Sequence, residues 1–124
     1  MDRLAETMER LKIAEIAATD VVRLAHGQRQ LVELGIVLAG KPWLILLDEP
    51  AAGLTGEEVQ RMVEVIREMN REASLIIVEH DMHFIRSIAK TVTVFHQGRV
   101  LIEAPVETVL ADQKVRDVYL GRKG

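Results

Sequence analysis

Leu4, Met8 and Leu11 recur at spacings of four and three, the mark of one apolar helix face, and predict an N-terminal helix running to about Ala18. Thr19 and Asp20 break that pattern. A second helix is expected after His26 and Gly27, with Leu31, Leu34, Val37 and Leu38 turned inward. Gly40 closes it, and Pro42 stands just beyond. The period then changes. Leu44, Ile45, Leu46 and Leu47 form an apolar run too short for a helix and without alternation, which predicts a strand buried on both faces. Pro50, which has no N–H, stops its ladder.

Gly53 and Gly56 bracket a loop, and Glu57 and Glu58 place acids at the positive end of a third helix. That helix carries Val59, Met62, Val63, Ile66 and Met69 inward. Leu75, Ile76, Ile77 and Val78 repeat the continuous apolar run. A short helix over residues 82–90 leads to a third strand at 92–95. Gln97-Gly98 is a tight turn, from which Val100, Leu101 and Ile102 pair back as a hairpin. Small helices at 106–111 and 114–120 complete the chain. Strand, helix, strand, helix, strand predicts an α/β fold with mainly parallel strands, a C-terminal hairpin and an N-terminal helical segment.

Composition narrows the function classes. A length of 124 residues suits one domain, and 48 % hydrophobic with 28 % charged residues is an ordinary globular balance. The net charge of −3 provides no basic surface for nucleic acid or anionic lipid. The lack of cysteine removes disulfides, thiolate zinc sites and cysteine nucleophiles together, and fits a reducing cytoplasm. The first residues carry acids and no apolar core, unlike a signal peptide. The apolar region at 36–47 is broken by Gly40-Lys41-Pro42, so no direct membrane span is expected, only peripheral attachment through a partner.

Three places carry candidate chemistry. Asp48 and Glu49 stand where the first strand should end, and in open α/β sheets ligands bind at the carboxyl ends of parallel strands. One acid there can hold a divalent cation while its neighbour orients or deprotonates a water, a division of labour suited to nucleotide hydrolysis. Leu24, Ala25, His26, Gly27 and Gln28 lead into a helix whose first N–H groups form an anion site, with Gly27 allowing close approach. His80 follows the second strand, at the sheet edge expected to hold Asp48, where an imidazole can donate to a phosphate oxygen or position a water. Taken singly, each has a plainer reading: solvated acids, a helix cap and a loop histidine.

In combination they resemble the nucleotide-binding subunit of ABC transporters, from the signature motif onward. That motif usually reads Leu-Ser-Gly-Gly-Gln and is followed by the Walker B strand, the D-loop and the switch histidine. The matching residues are Leu24 to Gln28, Leu44 to Glu49, Ala52-Gly53-Leu54-Thr55 and His80. The resemblance implies a partial P-loop NTPase core. It makes Asp48 the magnesium ligand through water, Glu49 the general base and His80 a γ-phosphate contact. Leu24 to Gln28 would close over ATP bound by the opposite subunit, with Gly53, Leu54 and Thr55 as the D-loop. The likeness is strongest to importers of branched-chain amino acids and urea, through Ala51-Ala52-Gly53-Leu54, Val78 to Met82 and the tail Val115 to Gly121. It further implies a second ATPase subunit, transmembrane permease subunits and a cytoplasmic place at the inner face of the cell membrane.

Two residues depart from the motif. Ala25 replaces a serine whose hydroxyl would bond the γ-phosphate, and one neutral hydrogen bond is worth about 0.5–1.5 kcal/mol. Thr55 stands where many members carry an aspartate. The larger departure concerns the glycine-rich loop that cradles phosphates. Its sole imitation starts at Gly35 and ends Gly40-Lys41-Pro42, with proline in the hydroxyl's place and a helix end where a helix start is required. In the family the loop lies upstream of the signature. The chain is therefore expected to be one partial domain: helical and signature-bearing over 1–40, the catalytic core and hairpin over 41–105, and a tail over 106–124. ATP and magnesium would bind only with the other half supplied. The competing readings are a non-catalytic interaction module and a metal site at Glu79, His80, Asp81 and His83. The metal reading is weakened because successive residues leaving a strand point in different directions. His96 is expected at the surface beside its turn.

Overall fold

The computed structural model describes residues 25–119 together with Glu6, Met8, Glu9, Ala18 and Asp20. Most of the expected N-terminal helix lies outside the described residues, although Glu6, Met8 and Glu9 are helical. The chain divides into two compact units between Glu79 and His80.

In the first unit, α1 (His26–Ala39) leads to β1 (Leu44–Asp48), then α2 (Gly56–Met69) and β2 (Ser74–Val78). The two strands pair in parallel, Leu44 opposite Ser74 through Asp48 opposite Val78, so α2 is the crossover of a βαβ unit. Leu31, Leu34 and Leu38 of α1, Ile45 of β1, and Met62, Val63, Val65, Ile66 and Met69 of α2 are buried. Thr55 starts α2 by accepting from the Glu58 N–H at 3.3 Å, while the Glu58 carboxylate accepts from the Thr55 N–H at 3.1 Å. Glu57 and Glu58 in the first turn and Arg67 in the last complement the helix dipole.

Two expectations need correcting here, on strand burial and on the helix faces. The strands are not buried on both faces: Ile45 is 2 % exposed, but Leu46 is 69 %, Ile76 56 % and Val78 61 %. A parallel sheet is dry on both faces only when layered on both, and the described residues leave this face open. On the helices, Val37 is exposed and Val59 only half-buried, while Val65 of α2 is buried. Gly40 ends α1 as expected, at φ −73°, and Lys41 after it takes the left-handed conformation at φ 50°.

The second unit holds α3 (Met82–Ile88), β3 (Thr91–His96), β4 (Arg99–Pro105), α4 (Val106–Ala111) and α5 (Gln113–Tyr119). Asp81 caps α3 by accepting from the Phe84 N–H at 3.1 Å. Gln97 and Gly98 both take positive φ, the requirement of a two-residue hairpin turn, and β3 and β4 pair antiparallel with an irregularity at Val94/Phe95. Among the described residues, parallel pairing is thus confined to β1 and β2. Val94, Val109 and Val115 form a small core with Val92, Leu101, Ile102 and Ala104 against it. Arg86 donates to both carboxylate oxygens of Glu107, joining α3 to α4. His96 is half-buried rather than exposed, because it sits in the ladder opposite Arg99.

Candidate functional site

The end of β1 concentrates the candidate carboxylates. The Glu49 N–H donates to the Val78 carbonyl at 2.8 Å, carrying the ladder one step past Asp48. Glu49 then turns into the left-handed region at φ 47°, and its carbonyl accepts from the Ala52 N–H at 3.0 Å. For a residue with a Cβ this conformation costs on the order of 1–3 kcal/mol, and such outliers cluster at functional sites. Asp48 and Glu49 are both exposed, while Pro50 behind them is buried. Period-two alternation puts Asp48 on the open face with Leu46.

A cleft of about 180 Å³ lies beside this edge, lined by Gln30, Glu33, Leu34 and Val37 of α1, Leu46, Leu47, Asp48 and Pro50, and Met62 of α2. Small-molecule sites commonly run to about 300–1,000 Å³, so this cleft does not enclose a nucleotide. A divalent cation needs hard oxygen ligands, and the exposed Asp48 carboxylate is of that kind.

The turn before α1 and the loop after β1 meet. The His26 Nε2–H donates to the Ala52 carbonyl at 3.0 Å, an arrangement that fixes the proton on Nε2 because a carbonyl only accepts. Gly53, at φ +73°, lies against that imidazole: a Cβ there would come within 3.3 Å of Nε2. Ala25 caps α1 in an extended conformation with no side-chain acceptor, and its own N–H donates to Gln28 Oε1 at 3.0 Å. Gly27 is buried, and the Glu58 side chain lies directly on it; a Cβ on Gly27 would fall 1.8 Å from Glu58 Oε2. The Glu58 carboxyl is held below its ordinary pKa, first by the Thr55 backbone N–H, then by the Thr55 hydroxyl, with the Gly27 N–H and the charge of His26 adding to the effect.

Four of the expected signature residues and all of the loop after β1 are therefore described, whereas Leu24 lies outside the described residues. His26 and Gly27 are brought against that loop through Ala52, Gly53 and Glu58. His80 is the exposed first residue of the second unit. The imitation phosphate loop lies at the end of α1, with Gly35 buried and Ile36 and Val37 exposed, so its apolar residues do not all share the buried face. Among the described residues no group of three or more His, Asp or Glu side chains gathers to hold a metal ion, and Asp81 is engaged as a helix cap. The residue that the sequence did not single out is Glu58. Its signal was present in the Thr55-x-x-Glu58 pattern of a capping box, but nothing local indicated that the same carboxylate would reach Gly27.

Residues 1–52 match the ABC transporter family. LivG of Escherichia coli strain K12, a high-affinity branched-chain amino acid transport ATP-binding protein, is 31 % identical over 123 residues, covering 98 % of this chain and 48 % of LivG. The likeness is to the ATP-binding proteins of ABC transporters. BraG of Pseudomonas aeruginosa, another branched-chain amino acid transport ATP-binding protein, is 33 % identical over 98 % of this chain and 52 % of its own length. An ATP-binding cassette of an ABC transporter solved in its ADP conformation superposes with a TM-score of 0.83 at 26 % identity, covering 97 % of this chain and 49 % of that one. CbiO1 of Clostridium perfringens, part of the ABC transporter complex CbiONQ, gives a TM-score of 0.82 at 30 % identity over 95 % and 48 %. This chain spans about half the length of the curated relatives it matches.

Proposed function

We propose that this chain is the C-terminal half of the ATP-hydrolysing subunit of an ABC importer, with branched-chain amino acids or urea and amides as the cargo class. The observation that carries the reading is the carboxylate pair at the end of a parallel strand, with Glu49 bonded to Val78 and turned left-handed. Two relatives named for branched-chain amino acid transport support the cargo class.

In this reading Glu49 takes the proton of the attacking water, and Asp48 holds magnesium through water. Bound magnesium would neutralise charge on the phosphates of ATP. His80 donates to the terminal phosphate, and Leu24, Ala25, His26, Gly27 and Gln28 face the ATP of the opposite subunit. Gly53, Leu54 and Thr55 line the junction between subunits. The carboxylates fit the cation, but the sequence has no Gly-rich loop at a helix start to cradle phosphates. Productive binding then requires the other half of the domain. The open face of Leu46, Ile76 and Val78 supports that requirement, because exposed apolar patches mark contact surfaces.

The partners in this reading are a second ATPase subunit and the membrane permease subunits, at the inner face of the cell membrane. No described helix is long and apolar enough to cross a membrane. The same open face favours one alternative, a non-catalytic module that retains the fold and binds a partner. Calorimetry with ATP and magnesium tests the dependence on a second half: the chain alone should show no micromolar binding. Binding at that affinity would overturn it. Turnover in a chimera joining this chain to the remaining half of LivG separates the catalytic reading from the non-catalytic one.

A further inference from the structure

The first turn of α1 already has an anion against it, and that anion belongs to the protein. Helix starts leave N–H groups without intrahelical acceptors and concentrate partial positive charge. A side-chain acceptor at the N-cap usually serves one of them, but Ala25 has none. Glu58 reaches across from α2 instead. Its carboxylate covers buried Gly27 closely enough that any side chain at that position would have to displace it. The same carboxylate holds the Thr55 N–H at 3.1 Å, so one acid ties two helix starts together. From the opposite direction, His26 of α1 reaches the Ala52 carbonyl at 3.0 Å. These two contacts join the start of α1 to α2 and to the loop after β1, and neither contact depends on the other's atoms.

We propose that Glu58 is a positioning residue whose carboxylate clasps the Gly27 turn onto the loop after β1, and that a nucleotide phosphate meets this turn only after Glu58 has released it. The proposal rests on the reading of residues 25–28 as a nucleotide contact. A carboxylate and a phosphate want the same N–H groups and repel one another, so occupancy by one excludes the other. Release of Glu58 leaves Thr55 still accepting from the Glu58 N–H, so the start of α2 survives the exchange. Loss of the Gly27 contact and engagement of phosphate thereby become one coupled event, which links the loop after β1 to the state of the nucleotide.

The test follows the Gly27 amide by NMR in the intact 124-residue chain, against pH and against inorganic phosphate. The Gly27 resonance should report a carboxylate step below the usual glutamate range, and that step should vanish in Glu58→Gln. His26 also faces Glu58 from α1, and a step that persists unchanged in Glu58→Gln would not come from Glu58. At neutral pH, phosphate should move the Gly27 amide at about tenfold lower concentration in Glu58→Gln than in the parent chain, the equivalent of one charge-assisted hydrogen bond. Glu58→Ala provides a second route: it removes the carboxylate while Thr55 still accepts from the backbone N–H of residue 58, and it should respond to phosphate as Glu58→Gln does. A Gly27 resonance indifferent to Glu58, or equal phosphate responses in the parent chain and the variants, overturns the clasp. Failure of the ATPase reading would abolish turnover in the chimera while leaving the Gly27 titration in place, so the two failures are distinguishable.

Discussion

The Glu49 N–H lies 2.8 Å from the Val78 carbonyl, one residue beyond the last paired position of β1. Through this bond the end of one strand fixes the turn that leaves the other. Glu49 itself stands at φ 47°, in the left-handed region. The left-handed turn thus begins directly where the β1–β2 pairing ends.

Loss of the Thr55 hydroxyl tests the cap. Thr55→Ala should destabilise the chain by about 0.5–2 kcal/mol, and Thr55→Asp, which keeps an acceptor, by much less. Denaturant unfolding followed by circular dichroism reads both. Equal stability of Thr55→Ala and the parent would mean that the reciprocal bonds with Glu58 add nothing.

The Arg86–Glu107 pair gives a pH prediction. Both oxygens of Glu107 accept from Arg86, and this contact holds the Glu107 carboxyl below its ordinary range. A depressed folded-state pKa stabilises above the unfolded value, and the effect is lost as pH falls through the folded value. Both groups are exposed, so screening keeps the contribution small. The carboxyl resonance of Glu107 should titrate at higher pH in Arg86→Ala than in the parent; coincident curves would show that the ion pair is not populated in solution.

The open sheet face predicts self-association. Leu46, Ile76 and Val78 together form an apolar strip on a short parallel sheet. Light scattering should detect association in the parent chain, and Leu46→Lys should reduce it while leaving the fold intact, because Leu46 is 69 % exposed. A monodisperse parent monomer at high concentration would show that this face needs no cover.

His80→Ala in the chimera with the remaining half of LivG should depress ATP turnover without loss of folding. An unchanged rate would remove His80 from the reaction.

Much of the fold could be read from the chain because its periods are clean. The continuous runs at Leu44 and Leu75 became β1 and β2, the Gln97-Gly98 turn became a hairpin, and residues 106–111 became α4. Burial was less legible. An apolar run looks the same whether one face or two will be covered, and Leu46, Ile76 and Val78 show that only one is covered among the described residues. The acids at Asp48 and Glu49 were evident from their place after a strand, but the left-handed turn of Glu49 and its bond to residue 78 were not, since that contact is distant in sequence. Glu58 was visible as a cap and invisible as a neighbour of Gly27 for the same reason: the contact joins residues thirty-one positions apart in the sequence.

The central claim is that Glu49 is the base of an ATP hydrolysis that this chain performs only within a completed domain. Its most direct test is steady-state ATP turnover in the LivG chimera, with and without Glu49→Gln. The account predicts turnover in the parent chimera, a fall of about 10²–10⁴-fold in the variant, and unchanged ATP binding in both. Equal turnover in the two proteins would contradict it.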